Sequence, residues 1–214
     1  KGQRKRPDQP HSHSTQLCTS NAEMVAEMTR NLIAVLDADP DTDIIALSPN
    51  DGGGFCECDN CRALDEPDRD WFARYSKRLA VLNNTVAREV AKRHPRVLIK
   101  VGAYAMYLRR PLDEDLAPTA NQLVQICHIY NCHNHPVQGE RCVAGKTFTA
   151  SNDFLPNTVF RQMIDDWKKV TEHLFIYEYY TLGGPSRAGL PWPLVHAIRE
   201  DMPYYHRVGA EGFY

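Results

Sequence analysis

Two hydrophobic patterns alternate along the chain. Continuous apolar runs occur at 43–48, where Ile44, Ile45, Ala46 and Leu47 are adjacent, and at 97–104, 123–129 and 174–180. Runs of that length predict strands, and the first of them suits one buried on both faces. A further strand opens at Gly209 and runs into Phe213-Tyr214. Between the runs, apolar residues recur every three or four positions. Met24, Met28, Leu32 and Leu36, with Val25 beside them, predict a helix. Ser20 and Glu23 read as its capping box, and Asp39-Pro40-Asp41 ends it. Leu79, Leu82, Val86 and Val90 predict a second helix over 70–93. His94-Pro95 stops it, because a residue before proline is biased out of the helical region. Two more helices are predicted over 158–172 and 194–207. Residues 15–18 read as a short strand, 49–68 as a loop rich in Gly, Cys and Asp, and 130–156 as irregular.

Strands alternating with helices predict an α/β fold with a mostly parallel sheet. About six strands are expected, and a complete eight-unit barrel typically needs ~250 residues. The chain has 214 residues. The expectation is therefore a (β/α)8 TIM-type barrel present as an incomplete portion that lacks its first strands. An open doubly wound sheet is the rival. Residues 1–14 form a basic, polar N-terminal segment without an apolar signal core, and 15–214 the partial barrel domain. Both ends read as interior points of a longer parent chain, whose remaining parts would complete the barrel.

Composition narrows the function. With 43% hydrophobic residues the chain is globular rather than disordered. Lys and Arg number 25 against 27 Asp and Glu, which removes a nucleic-acid partner held by bulk charge. No apolar run approaches the ~20 residues of a membrane span. Neither Gly-x-Gly-x-x-Gly nor a phosphate loop is present, so dinucleotide and nucleoside-triphosphate readings lose their support.

Ligands of parallel α/β folds collect at the carboxyl ends of the strands. After the successive runs come Ser48-Pro49-Asn50-Asp51, then Tyr104 and Tyr107, then His128, Tyr130 and Asn131, then Tyr177-Glu178-Tyr179-Tyr180. Aromatic faces stack on sugar rings, while carboxylates and amides bond hydroxyls or move protons. Asn50, Tyr104, His128, Tyr130 and Tyr180 are the expected sugar-binding residues. Asp51 and Glu178 are the expected carboxylate pair, with Glu178 as acid and Asp51 binding or orienting the sugar. Plainer readings stand beside these. Asn-Asp-Gly-Gly-Gly is ordinary turn chemistry, Glu178 fits a buried carboxylate bonded to tyrosines, and His128 fits a hydrogen-bonded core histidine.

Seven cysteines is an odd number, so one at least lies outside any internal disulfide. Cys56, Cys58 and Cys61 have the spacing to wrap a structural zinc ion, with a fourth ligand from elsewhere. Cys18, Cys132, Cys142, His128, His133 and His135 are candidates for it. A disulfide among the three, or free thiols, are the alternatives, as is a Cys132–Cys142 pairing.

The ordered motifs resemble a known family. They are Gln16-Leu17-Cys18-Thr19-Ser20-Asn21, Ser48-Pro49-Asn50-Asp51-Gly52, and Phe55-Cys56-Glu57-Cys58-Asp59-Asn60-Cys61. With them go the 79–87 helix segment, Ala103-Tyr104, His135-Pro136, Trp167, Tyr177-Glu178-Tyr179 and Gly209-x-x-Gly212. This pattern is similar to domain of unknown function 4838, part of which is classed as glycoside hydrolase family 163. The resemblance implies a catalytic barrel related to hexosaminidase and α-glucuronidase barrels, in exported bacterial proteins that degrade glycans. It implies a retaining, substrate-assisted endo-β-N-acetylglucosaminidase acting on N-linked or related glycans of a glycoprotein or oligosaccharide. An α-glucuronidase-like exo-glycosidase and a non-catalytic carbohydrate-binding barrel are the alternatives.

Overall fold

The computed structural model describes residues 15–139, 155–180 and 194–213. In chain order the elements are α1 (Ala22–Ala38), β1 (Ile44–Leu47), α2 (Asp59–Arg62) and α3 (Ser76–Ala91). They continue with β2 (Leu98–Ala103), β3 (Gln122–Cys127), α4 (Asn157–Lys168), β4 (Leu174–Tyr177), α5 (Val195–Arg207) and β5 (Gly212–Phe213). Single 3-10 turns lie at Trp71–Ala73, Ala105–Tyr107 and Glu114–Leu116. The five strands form one sheet in the order β1-β2-β3-β4-β5, and every pair is parallel. A doubly wound sheet reverses its order at a switch point; this order has no reversal, and each strand lies beside its predecessor.

Register shows which side chains share a face. Ile45, Ile99, Val101, Val124, Ile126, Leu174 and Ile176 are in line across the sheet. Most of them belong to one buried cluster with Leu79, Leu82, Val86 and Val90 of α3 and Phe160, Met163, Ile164 and Trp167 of α4. Fully burying a Val, Leu, Ile or Phe side chain stabilises by about 1.5–3 kcal/mol, so this helix-covered face is the main source of stability. The opposite face carries Ile44, Ala46 and Leu123 together with Lys100, Gly102, Gln125, Cys127, Phe175 and Tyr177. Polar and aromatic groups gather there towards the carboxyl ends of the strands, in contrast with the apolar side under the helices.

Several expected elements are displaced. Among the described residues the sheet has five strands rather than about six, because 15–18 lies alongside the 50–54 loop without joining a ladder. β1 is an edge strand with Ile44 41% exposed, not a strand buried on both faces. The helix expected over 70–93 breaks at Tyr75, whose N–H donates to the Met106 carbonyl instead of continuing a helical ladder. α1 is capped by Asn21, whose Oδ1 accepts the Met24 N–H at 2.9 Å. Ser20 is outside the helix, with its hydroxyl among cysteine sulfurs. β4 ends at Tyr177, whose carbonyl accepts the His128 N–H as the last bond to β3. α4 ends at Lys168 rather than 172, while the β2–β3 connection lacks an α-helix as its prolines predict.

Candidate functional site

Directly after β3 and β4 the side chains divide by parity. Cys127 and Tyr177 stand in register on the face away from the helices. The next residues, His128 and Glu178, turn to the helix side and meet α4 and α5. The strand ends thus carry two clusters rather than one.

The first cluster is open. Asp51 is exposed in a turn where its Oδ1 accepts the Gly52 N–H at 2.9 Å, and Gly52 has φ 96°. The Tyr104 hydroxyl reaches the same Oδ1 at 3.4 Å. Tyr104 lies 6.3 Å from Tyr130, ring to ring, and Tyr130 packs edge-on against Trp71 and Phe72 at 5.3 and 5.5 Å. The rings of Tyr177 and Tyr179 lie 4.7 Å apart, tilted by 53°. Burial, then the neighbouring Tyr130, Asp51 and Cys127, raises the Tyr104 phenol well above its ordinary value. Burial and then Cys127 do the same for Tyr179. These phenols stay protonated and can donate. Asn50 is committed elsewhere: its Nδ2 donates to the Thr15 carbonyl at 3.0 Å, and its backbone bonds the Gln16 amide.

The second cluster is buried. His128 Nδ1 meets Glu178 Oε2 at 3.0 Å, with the side chains 1% and 2% exposed. His128 Nε2 faces Asn157 Oδ1 at 3.3 Å, its ring stacks on Phe160, and the Tyr205 hydroxyl donates to Glu178 Oε1. Burial alone would raise the Glu178 carboxyl, but the His128 charge and bonds from His128 and Tyr205 outweigh it and hold it low. Burial likewise opposes charge on His128, and Glu178 overcomes it, so the imidazole is raised. The two form an ion pair. Asp201 lies alongside, accepting the Val137 N–H at 2.6 Å and the Tyr180 hydroxyl at 2.9 Å. Burial pushes its carboxyl up to about 6. Burial and the His128 charge push His133 down to about 4.

Of the expected site residues, the structure brings Asp51, Tyr104 and Tyr130 together at the open rim. It gathers Glu178, His128 and Tyr180 underneath. Asn157, Asp201 and Tyr205 were missed by the sequence reading. A signal for two of them existed, since Asp201 and Tyr205 continue the buried stripe of Ala197 at four-residue spacing.

Two groups have metal-ligand composition among the described residues. His128, His133 and Glu178 have ligand atoms within 4.8 Å of one another, but His128 and Glu178 already bond each other. Cys18, Cys56, Cys58 and Cys61 also have all four sulfurs within 4.8 Å of one another, and a metal ion could be held there. The six described cysteines are all thiols. Cys132 pairs locally with His135 Nδ1 at 3.1 Å, and Cys142 lies outside the described residues. No described helix is long and apolar enough to cross a membrane.

The sequence matches the family model described as Domain of unknown function (DUF4838) over residues 2–214. No curated protein matches it. Among solved structures, a lactosyl-enzyme intermediate of endo-glycoceramidase II from Rhodococcus sp. overlaps 91% of this chain at 12% identity and TM-score 0.42. The same enzyme with a cellobiose-like isofagomine gives 14% identity and TM-score 0.38. The chain spans 40% of the length of these structures.

Proposed function

This chain belongs to the DUF4838 family, and from that premise we propose that it forms part of a glycan-cleaving (β/α) barrel in an exported protein. The activity proposed is that of a retaining endo-β-N-acetylglucosaminidase. The observation that carries the reading is the row of sugar-compatible side chains at the carboxyl ends of β1 to β4. Asp51, Tyr104, Tyr130 and the Tyr177–Tyr179 pair stand along one edge of strands that neighbour each other in chain order. The progressive strand order fits consecutive strands of a barrel whose remainder the parent chain supplies.

In the proposed reaction the substrate's 2-acetamido oxygen attacks the anomeric carbon as the glycosidic C–O bond breaks. The leaving oxygen takes a proton, and water then opens the oxazoline with net retention. Asp51, exposed beside the Tyr104 hydroxyl, orients the acetamido group. Glu178 supplies the acid role only after taking the proton from His128 Nδ1 across their 3.0 Å contact. Its side chain is 2% exposed, and that observation favours a second reading. In it, Glu178 is a positioning residue whose Oε2 accepts the Tyr179 N–H at 3.3 Å, and the rim binds carbohydrate without cleaving it. The uronate reading is weaker, because His128, its expected cation, faces Glu178 and Asn157.

The full-length protein, with Asp51→Asn and Glu178→Gln forms, is incubated with an N-glycosylated protein and the products are weighed. One N-acetylglucosamine left per site establishes endo-cleavage. Asp51→Asn is expected to lose about 10²-fold or more in turnover while still binding glycan. Equal cleavage by Glu178→Gln removes Glu178 from the chemistry. Absence of cleavage by the parent, with glycan still bound, selects the binding reading.

A further inference from the structure

We propose that Cys18, Cys56, Cys58 and Cys61 form a closed tetrahedral site for a structural zinc ion, which ties the segment before α1 to the loop bearing Asn50 and Asp51. The inference stands independently of the glycosidase reading.

The sulfur geometry carries it. A zinc–sulfur bond of about 2.3 Å places tetrahedral sulfurs about 3.8 Å apart. Cys18 Sγ lies 3.8 Å from Cys58 Sγ and 3.8 Å from Cys61 Sγ. The four sulfurs are mutually close, whereas disulfide chemistry draws sulfurs together in twos. Three of the four come from the six residues 56–61 at the start of α2, and Cys18 is brought to Cys58 from 40 residues away.

The surroundings suit thiolates. Four thiolates and one Zn²⁺ leave a net double negative charge, which nearby donors must offset. The Ser20 hydroxyl lies 3.1 Å from Cys61 Sγ and 3.5 Å from Cys58 Sγ, and the Thr19 hydroxyl 3.7 Å from Cys61 Sγ. Backbone N–H groups of Cys58, Cys61 and Ser20 point at the sulfurs of Cys56, Cys58 and Cys61 respectively. From beneath, Arg78 is 1% exposed and donates from Nη1 to the Cys56 carbonyl at 2.9 Å, fixing the loop. Soft thiolates in tetrahedral array select zinc over oxygen-seeking cations. With all four positions filled by sulfur, none is open to substrate, so the ion is structural.

What the ion would hold is the rim. Gln16, two residues before Cys18, donates from Nε2 to the Asn50 carbonyl and accepts the Asn50 N–H, and Asn50 Nδ2 bonds the Thr15 carbonyl. The Asp51 turn is therefore gripped directly by 15–16 and, through the cysteines, by the metal. Loading converts thiols to thiolates and releases their protons to solvent.

The full-length protein, purified under reducing conditions with zinc present, is tested by elemental analysis and X-ray absorption. The expected result is one zinc per chain, bound by four sulfurs at about 2.3 Å. Cobalt(II) in its place is expected to give thiolate-to-metal charge-transfer bands in the near ultraviolet. Cys18→Ser loses the metal and Cys132→Ser keeps it. Ser20→Ala keeps it with affinity lowered about 10–100-fold against a chromophoric chelator. Metal-free protein with these cysteines mapped into disulfides overturns the proposal, as does nitrogen or oxygen among the ligands, or full zinc content in folded Cys18→Ser. Where Cys18→Ser fails to fold, the absorption spectrum of the unaltered protein decides.

Discussion

Glu178 and His128 leave water together, and each is tolerable in the interior because the other is there. Removing one member of a buried ion pair strands the remaining charge, which typically costs about 3–5 kcal/mol. Glu178→Gln is therefore expected to lower the unfolding free energy of the full-length protein by about 3 kcal/mol or more at pH 6, measured in urea. A double change with His128→Gln should cost less than the sum of the two singles. A Glu178→Gln protein as stable as its parent would mean the pair is not formed. The same residues show what the sequence does and does not disclose. Strand-end placement put His128, Tyr130, Glu178 and Tyr180 near one edge, which holds. It did not say which side of the sheet each faces. Parity does: His128 follows Ile126 and Glu178 follows Ile176, both helix-facing. Counting from those apolar positions puts the carboxylate under α5, but the count ends with the strand: Asp51 and Tyr130 share the parity of helix-facing Leu47 and Ile126 and still reach the rim with Tyr104. Asn157 stayed hidden because its partner His128 is 29 residues away in sequence, whereas the stripe that marks Tyr205 as buried does not disclose that its partner is Glu178, 27 residues away.

At the scale of elements, Ser20 and Asn21 were each able to cap α1, and the outcome turned on tertiary competition. Both precede the helix, and Ser20 has the glutamate three residues on that a capping box requires. The cysteine cluster takes the Ser20 hydroxyl, and Asn21 caps instead. The two positions therefore separate experimentally. Asn21→Ala is expected to cost about 1 kcal/mol of stability by thermal unfolding and leave zinc affinity unchanged. Ser20→Ala should leave the α1 cap intact and act on metal affinity. Equal loss of stability with both would return the cap to Ser20. Apolar runs and helical stripes were legible because they record burial within a single element. The break at Tyr75 was not, since it arises from a bond to Met106 in the following connection.

Across the whole molecule, two buried groups oppose each other in their response to pH. Unfolded His133 binds a proton below about 6.5, whereas folded His133 stays neutral down to about 4. Its contribution to stability therefore falls as pH drops through that window. Unfolded Asp201 ionises above about 4, whereas folded Asp201 keeps its proton up to about 6, so its contribution falls as pH rises. Each slope approaches about 1.4 kcal/mol per pH unit, and between about pH 4.5 and 6 they cancel. The Glu178–His128 pair acts outside that window. Glu178, held low, loses its stabilising effect as pH falls below the ordinary carboxylate range. His128, held high, loses it as pH climbs through its raised value. The full-length protein is thus expected to show a flat urea midpoint from about pH 4.5 to 6. Asp201→Asn keeps the shape of the side chain and removes one of the two slopes. In that variant, stability should rise across the same interval by about 2 kcal/mol, carried by His133 alone. A variant profile as flat as the parent's would mean that His133 titrates normally and is not held neutral beside His128.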